Sequence, residues 1–286
     1  MQSPGASSDA GGVKQRGTVI KRHSLFTRVW HWVNAICLVV LLMSGLQIFN
    51  AHPALYWGKD SSFGDSALSI FAVQGDGGEL RGITQIGGFR LDTTGVLGVS
   101  GSADDIERRG FPGWATLPES RWLAMGRQWH FLFGWIFAPM LTAYLLYLAL
   151  SGQLWRRLVP RLHEWRGIGH TLRDHLMLRF HRGEEARHYN ILQKLTYLLV
   201  LLGIAPLMVL TGLTMSPTVD AAWPWLLDLF GGRQSARTIH FICAAAFVAF
   251  FVVHIALVLV SGVFNNLRSM ITGRYTLPPE ETSRHE

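Results

Sequence analysis

Apolar positions in this chain gather into four long runs, at residues 29–49, 129–150, 191–215 and 241–264, separated by polar stretches of unequal length. Each run is about twenty residues or longer and almost free of charge, the length a helix needs to cross about 30 Å of hydrocarbon. Lipid offers no partner for free backbone groups, so helices are the expected spanning form. Lys194, near the start of the third run, is the one charge inside, and its alkyl stem lets the ammonium snorkel outward. The pattern predicts an all-α membrane protein: a four-transmembrane-helix bundle in which residues 50–126 form a long extracytoplasmic loop.

The stretches between the runs carry weaker patterns. Residues 1–22 open with the polar MQSPGASSDAGG, which reads as a disordered cytoplasmic segment and not as a cleavable leader. Within the loop, SIFAVQGDGGELRGITQIGGFRLDTTGV sets short β-branched patches between Gly and Asp, which predicts a β-hairpin. Residues 151–189 mix apolar and basic positions as one or two amphipathic helices on the membrane surface do. AAWPWLLDLFGG makes a short outer connection, and the chain after Gly262 reads as polar. The predicted organisation is one four-helix unit at residues 23–275, with a polar tail at 276–286. No repeat occurs at solenoid spacing.

Composition agrees with a membrane protein: 49% of the residues are hydrophobic, 16% are charged and eleven are Trp, which is too apolar for an ordinary soluble domain. The net charge of +7 invites a nucleic-acid reading, but its distribution opposes one. The first 28 residues hold five basic groups and one acid, residues 151–189 hold eight Arg and four acids, and residues 50–126 hold six basic groups and nine acids. Basic segments stay in the cytoplasm. Both termini are therefore expected on the cytoplasmic side of the membrane, the long loop outside, and the basic segments beside anionic lipid. The two cysteines, Cys37 and Cys243, lie inside predicted helices with no CxxCH, so covalent haem attachment is not expected.

Four histidines lie within or at the edges of the apolar segments: His31, His130, His240 and His254. Ionisable groups at membrane depth are functional candidates. His240 and His254 are fourteen residues apart, close to four helical turns and about 21 Å of rise, so both rings leave nearly the same face at different depths. With both termini inside, His130 shares the outer depth with His240, and His31 shares the inner depth with His254. Each pair offers both axial ligands to one haem iron, which makes a transmembrane wire of two stacked b-type haems. Arg28, Arg127 and Arg237 each stand three residues before a ligand, either as propionate partners or as interfacial anchors. Gly45, Gly134 and Gly212 would let a porphyrin approach the backbone. His23 is an alternative or neighbouring group. His52 lies at the mouth of the loop. His163, His170, His175, His181 and His188 fall in the Arg-rich segment with no zinc spacing, and suit surface or phosphate-facing roles.

At these motifs the chain resembles the bacterial di-haem cytochrome b family, the membrane subunit of respiratory formate dehydrogenase, nickel–iron hydrogenase and thiosulfate reductase. TRVWHW is similar to the family's helix-one ligand motif, GRQWHFLFG to the helix-two motif, and RQSARTIHF with FFVVHIAL to the helix-four pair. The long loop makes the chain look closest to the thiosulfate-reductase branch. The resemblance implies that YNILQK is a quinone site, in which Asn190 and Gln193 bond a quinone carbonyl and Lys194 supplies protons or holds a propionate. Without the resemblance, these residues read equally as the polar start of a helix. It further implies a periplasmic redox partner of the molybdenum-cofactor type. The expected function is electron exchange between that partner and the quinone pool. Two rivals stand beside it: a self-sufficient oxidase acting on a small species such as superoxide, and a haem-free membrane anchor.

Overall fold

The computed structural model describes residues 19–102, 105–169, 173 and 191–276. A short strand, β1 (Val19–Lys21), leads into the first spanning helix, α1 (Leu25–Phe49). Ser24 caps α1: its hydroxyl accepts the Thr27 N–H at 3.1 Å, satisfying one of the donors a helix start leaves open. The loop then folds into an antiparallel four-stranded sheet of β2 (Ala54–Leu55), β3 (Leu68–Gln74), β4 (Leu80–Ile86) and β5 (Phe89–Asp92). A second sheet pairs β6 (Gly98–Ser102) with β7 (Asp105–Arg109). The expected hairpin is β3–β4, and β4 continues into β5 across Gly87 and Gly88, a two-residue turn that glycine suits. The helical bundle thus carries a β-structured cap more extensive than one hairpin.

The second span is α2 (Leu123–Leu150) and the third is α3 (Ile191–Thr214), which loosens into a π-helical stretch at Leu199–Ile204. Two short helices, α4 (Pro217–Ala222) and α5 (Pro224–Leu229), lead into the fourth span, α6 (Arg233–Val260). All four spans fall on the predicted runs, although α2 begins six residues before its run and α6 eight, and α6 ends four residues short of its run. α1 packs against α2, and α3 packs against α6. A small core of Cys37, Phe137, Leu141, Ala205 and Phe247 takes at least one side chain from each span.

The cap is stitched to the bundle. Asn50, just past α1, accepts the Phe111 N–H at 2.6 Å and donates to the Phe111 carbonyl at 2.9 Å. The first turn of α6 has no side-chain cap. Instead the Gly58 carbonyl accepts the N–H groups of Gln234 and Ser235 at 3.1 and 3.2 Å, filling donors that would otherwise stay open. Thr238 donates to the Tyr56 carbonyl at 2.6 Å, and Arg237 to the His52 carbonyl at 2.5 Å. Burial and the Arg237 charge hold the His52 imidazole below its ordinary pKa, so it stays neutral in this seam.

At the opposite end, the chain after Gly262 is not simply polar. It forms α7 (Val263–Thr272) and β8 (Arg274–Thr276), and β8 pairs antiparallel with β1. Residues 19–21, read from sequence as part of a disordered segment, are thereby ordered. Val263, Phe264, Leu267, Met270 and Ile271 make α7 amphipathic, but ten residues are too few to stand out beside four spans. Among the described residues of 151–189, a π-helical turn occupies Leu154–Leu158 and a 3-10 turn Leu162–Gly167. The second turn is tied to α3 by Glu164, which takes the Lys194 ammonium at 2.6 Å; the two side chains are 25% and 10% exposed. Burial pushes the Glu164 carboxyl up, but the hydrogen bonds from Lys194 and the Arg161 N–H outweigh it and hold the group below its usual value.

Two outcomes follow for stability. Gly232 has φ +115°, and a Cβ there would lie 2.7 Å from the Gly58 oxygen; Gly232→Ala should therefore cost about 1–3 kcal/mol and lower the detergent melting midpoint. Glu164→Ala strands the Lys194 charge and should cost about 1–3 kcal/mol. Adding Lys194→Met should recover most of that loss in the same melting experiment, because no charge then remains to be paired.

Candidate functional site

Between the α1–α2 pair and the α3–α6 pair lies a cavity of about 2830 Å³, lined by His31, His130, His240 and His254 together. That is well above the roughly 300–1,000 Å³ of ordinary small-molecule sites. Its residues recur in heptads, which keeps them on one helix face: His31, Leu38 and Gly45 on α1; His130, Phe137 and Tyr144 on α2; Ala205 and Gly212 on α3; His240, Phe247 and His254 on α6. Three layers result. His130 and His240 meet Gly45 and Gly212 at the loop end. Leu38, Phe137, Ala205 and Phe247 fill the middle. His31 and His254 lie at the end where the termini meet.

The histidines form two pairs across the cavity. The ring centres of His130 and His240 are 6.1 Å apart, with planes at 64°. Those of His31 and His254 are 6.5 Å apart, at 53°. A metal–imidazole bond is about 2.0–2.1 Å, so two imidazoles on opposite sides of one metal stand roughly 6–6.5 Å apart, centre to centre. Both pairs meet that requirement. Among the described residues no three His, Cys, Asp or Glu side chains cluster, so each pair would supply two protein ligands to a bound group. The remaining coordination then belongs to the bound group, as it does in a haem macrocycle. Residues and cavity fit that group.

At the loop end the ring orientation is set by hydrogen bonds. His130 Nδ1 lies 3.1 Å from the Leu41 carbonyl oxygen and 3.1 Å from Ser44 Oγ. His240 Nδ1 lies 3.1 Å from the Met208 carbonyl oxygen and 3.2 Å from Thr211 Oγ1. A carbonyl only accepts, so the proton is on Nδ1, and Nε2 keeps its lone pair for a metal. In the terminal pair, His31 has no such anchor: its Nδ1 is buried with no hydrogen-bond partner among the described residues. Phe250 stacks beside His254 at 5.7 Å.

The structure sorts the other predicted residues. Arg127 is exposed at the cavity wall, its guanidinium 5.7 Å from the Phe131 ring centre. Arg237 lines the cavity and also holds the His52 carbonyl. Arg28 does not line it; its guanidinium closes the end of α7 by donating to the Ile271 carbonyl at 2.5 Å, which favours the anchor over the propionate role. Lys194 is likewise turned away from the cavity and held by Glu164. Gln193 lines the cavity, and Asn190 lies outside the described residues. Gly45 and Gly212 make room for the imidazoles: a Cβ at either would lie 3.3 Å from His130 Cε1 or 3.2 Å from His240 Cε1. Gly134 has open space before it.

Two features escaped the sequence reading. Arg22, within the segment expected to be disordered, lines the cavity with His23 and lies over the Tyr275 ring at 4.5 Å. Ser44 and Thr211 hold the loop-end imidazoles of His130 and His240. A signal for them exists in the repeated Ser/Thr-Gly-Leu of residues 44–46 and 211–213, matched by the repeated Arg-x-x-His-Phe of residues 127–131 and 237–241.

Comparison with known proteins places the chain in a family. Residues 22–273 match the family model for prokaryotic cytochrome b561. A relative from Azospira oryzae, named "Putative protein-methionine-sulfoxide reductase subunit YedZ1", is 29% identical over 236 residues, covering 82% of this chain and 89% of its own length. No solved structure matches. The family match spans nearly all of the helical bundle and its four histidines. The chain belongs to the prokaryotic cytochrome b561 family: it is a multi-pass membrane cytochrome b that binds b-type haem and carries electrons.

Proposed function

We propose that this chain is the membrane subunit of an oxidoreductase complex, and that it links a periplasmic redox enzyme to the quinone pool through two b-type haems. The observation that carries this reading is the pairing of imidazoles at two depths, 6.1 and 6.5 Å between ring centres. His130 and His240 would hold one iron at the loop end, and His31 and His254 the other at the terminal end. Haem bound in this way supplies one-electron carriage with little change at the iron. The chain's own residues do the rest. Leu38, Phe137, Ala205 and Phe247 keep the space between the two levels apolar and exclude water. Arg127 and Arg237 at the loop end, and Arg22 at the other, offer positive charge to acidic substituents of the bound groups.

Orientation follows from charge: the basic N-terminus and the Arg-rich segment 151–189 favour the cytoplasmic side. The β-structured cap then faces the periplasm of a bacterial inner membrane and is the docking platform for the partner enzyme. The name of the Azospira oryzae relative makes that protein a subunit of a methionine-sulfoxide reductase, which supports a catalytic partner that reduces its substrate with electrons from this chain. The family resemblance favours a molybdenum-cofactor enzyme as that partner. Quinol would be oxidised to quinone at the terminal end, where Gln193 lines the cavity and Asn190 precedes it by three residues in the sequence.

His254→Ala should retain one haem per chain, held by His130 and His240, and His240→Ala should retain the one held by His31 and His254. A pyridine-haemochrome assay with a redox titration reads both the count and the identity. Two unchanged haems in His254→Ala would sink the ligand assignment. A colourless preparation of the wild-type chain, supplied with haem, would leave the anchor reading in its place.

A further inference from the structure

The two loop-end ligands are held by the same device built twice. On α1, the Ser44 hydroxyl lies 2.6 Å from the Val40 carbonyl oxygen and 3.3 Å from that of Leu41. On α3, the Thr211 hydroxyl lies 2.7 Å from the Leu207 oxygen and 3.1 Å from that of Met208. In both helices the hydroxyl stands at i, the nearer carbonyl at i−4, and the carbonyl shared with the imidazole at i−3. A glycine at i+1 gives the ring its space. Both hydroxyl residues are fully buried at 0% exposure.

Proton accounting gives these hydroxyls a definite role. A carbonyl cannot donate, so each hydroxyl spends its single hydrogen on the helix backbone. Toward Nδ1 its oxygen is therefore an acceptor, and the imidazole N–H is shared between that oxygen and the i−3 carbonyl. Donating its hydrogen polarises the hydroxyl and strengthens it as an acceptor. A histidine whose N–H is held by acceptors is fixed in tautomer and ring angle, and its other nitrogen becomes a stronger donor to a metal. His31 has nothing comparable, since its Nδ1 is buried with no partner among the described residues.

We propose that Ser44 and Thr211 are positioning residues that orient His130 and His240 and raise their donor strength toward a bound iron, making the loop-end site electronically distinct from the terminal one. This rests on the bis-histidine reading above. A stronger donor set favours the ferric state, so the device lowers the midpoint potential of the loop-end haem. Ser44 acts across α1–α2 and Thr211 across α3–α6, so the contributions are separate and both reach one iron.

The test is an optical redox titration of the purified full chain, combined with electron paramagnetic resonance of the ferric low-spin signals. The variants are Ser44→Ala, Thr211→Val and the double variant, each compared with the conservative Ser44→Thr and Thr211→Ser. The loop-end haem is identified beforehand as the one lost in His240→Ala. The expected result is an upward shift of that haem's midpoint potential in each single variant and a larger one in the double. Its low-spin signal should move with it, the other haem should stay where it was, and the conservative variants should lie close to wild type. No shift, a downward shift, or an equal shift of both haems would overturn the proposal. Should Ser44→Ala not accumulate as a folded chain, Ser44→Cys keeps the side chain's shape while weakening the acceptor, and it carries the same outcomes. The bis-histidine reading fails separately, and visibly, if wild type lacks two low-spin haems per chain.

Discussion

An imidazole at membrane depth has two nitrogens to satisfy and no bulk water to satisfy them with, and the shape of this bundle follows from that demand. At the loop end one nitrogen is met by a neighbouring helix: His130 on α2 by α1, and His240 on α6 by α3. The helices therefore associate as the pairs α1–α2 and α3–α6, each locked by an imidazole N–H on a backbone carbonyl. The second nitrogen of each ring is left facing the opposite pair. Two such rings held about 6 Å apart, centre to centre, prevent the pairs from closing on each other, and the large cavity is the consequence. A four-helix anchor with no bound group would have no reason to keep its helix pairs apart, since unfilled apolar volume loses packing energy.

Along the membrane normal, the heptad spacing does the organising. His240, Phe247 and His254 stand two turns apart on one face of α6, and His130, Phe137 and Tyr144 repeat the interval on α2. The middle layer is the part of the site that is truly closed: Phe137 and Phe247 are 6% and 9% exposed. Water is excluded there and the two histidine levels stay distinct. The ends differ in chemistry. The loop end is mirrored, with Ser44-Gly45 opposite Thr211-Gly212, while the terminal end takes its histidines from α1 and α6 and fills the corresponding place on α2 with Tyr144, stacked on Trp30 at 3.9 Å. The bundle is thus symmetric around one histidine pair and asymmetric around the other, which gives the two sites unequal surroundings.

The parts legible in the sequence are those governed by periodicity over long stretches. Four apolar runs gave four spans, and the fourteen-residue interval between His240 and His254 placed both rings on one face without any coordinates. The hairpin was visible because Gly and Asp punctuate β-branched patches, but the second sheet was not, because GVSGS carries little β signal of its own. α7 was missed because ten amphipathic residues resemble a polar tail, and with it the real partner of Arg28, a carbonyl at the helix end. Lys194 looked like a cavity group because it lies one residue from Gln193. On a helix, adjacent residues point about 100° apart, and the Glu164 carboxylate had already claimed the ammonium. Ser44 and Thr211 were invisible for a different reason: their role arises only when α1 meets α2 and α3 meets α6.

The seam between cap and bundle ties the two halves of the molecule to one helical turn. Thr238 and Arg237 grip the carbonyls of Tyr56 and His52, and His240 follows within the same turn. Phe241 packs on Phe49 at 4.9 Å, and Phe49 on Phe111 at 5.7 Å, so the aromatic contacts run from beside His240 into the loop. The loop therefore cannot shift against α6 without disturbing the carbonyls that hold Arg237 and Thr238, and His240 stands on the same turn. On the reading proposed above, a partner enzyme docked on a cap held in this way would stand at a fixed distance from an iron at the loop-end site. A flexible tether of the same length would leave that distance undefined. In that reading the sheet would serve the electron path through its stiffness.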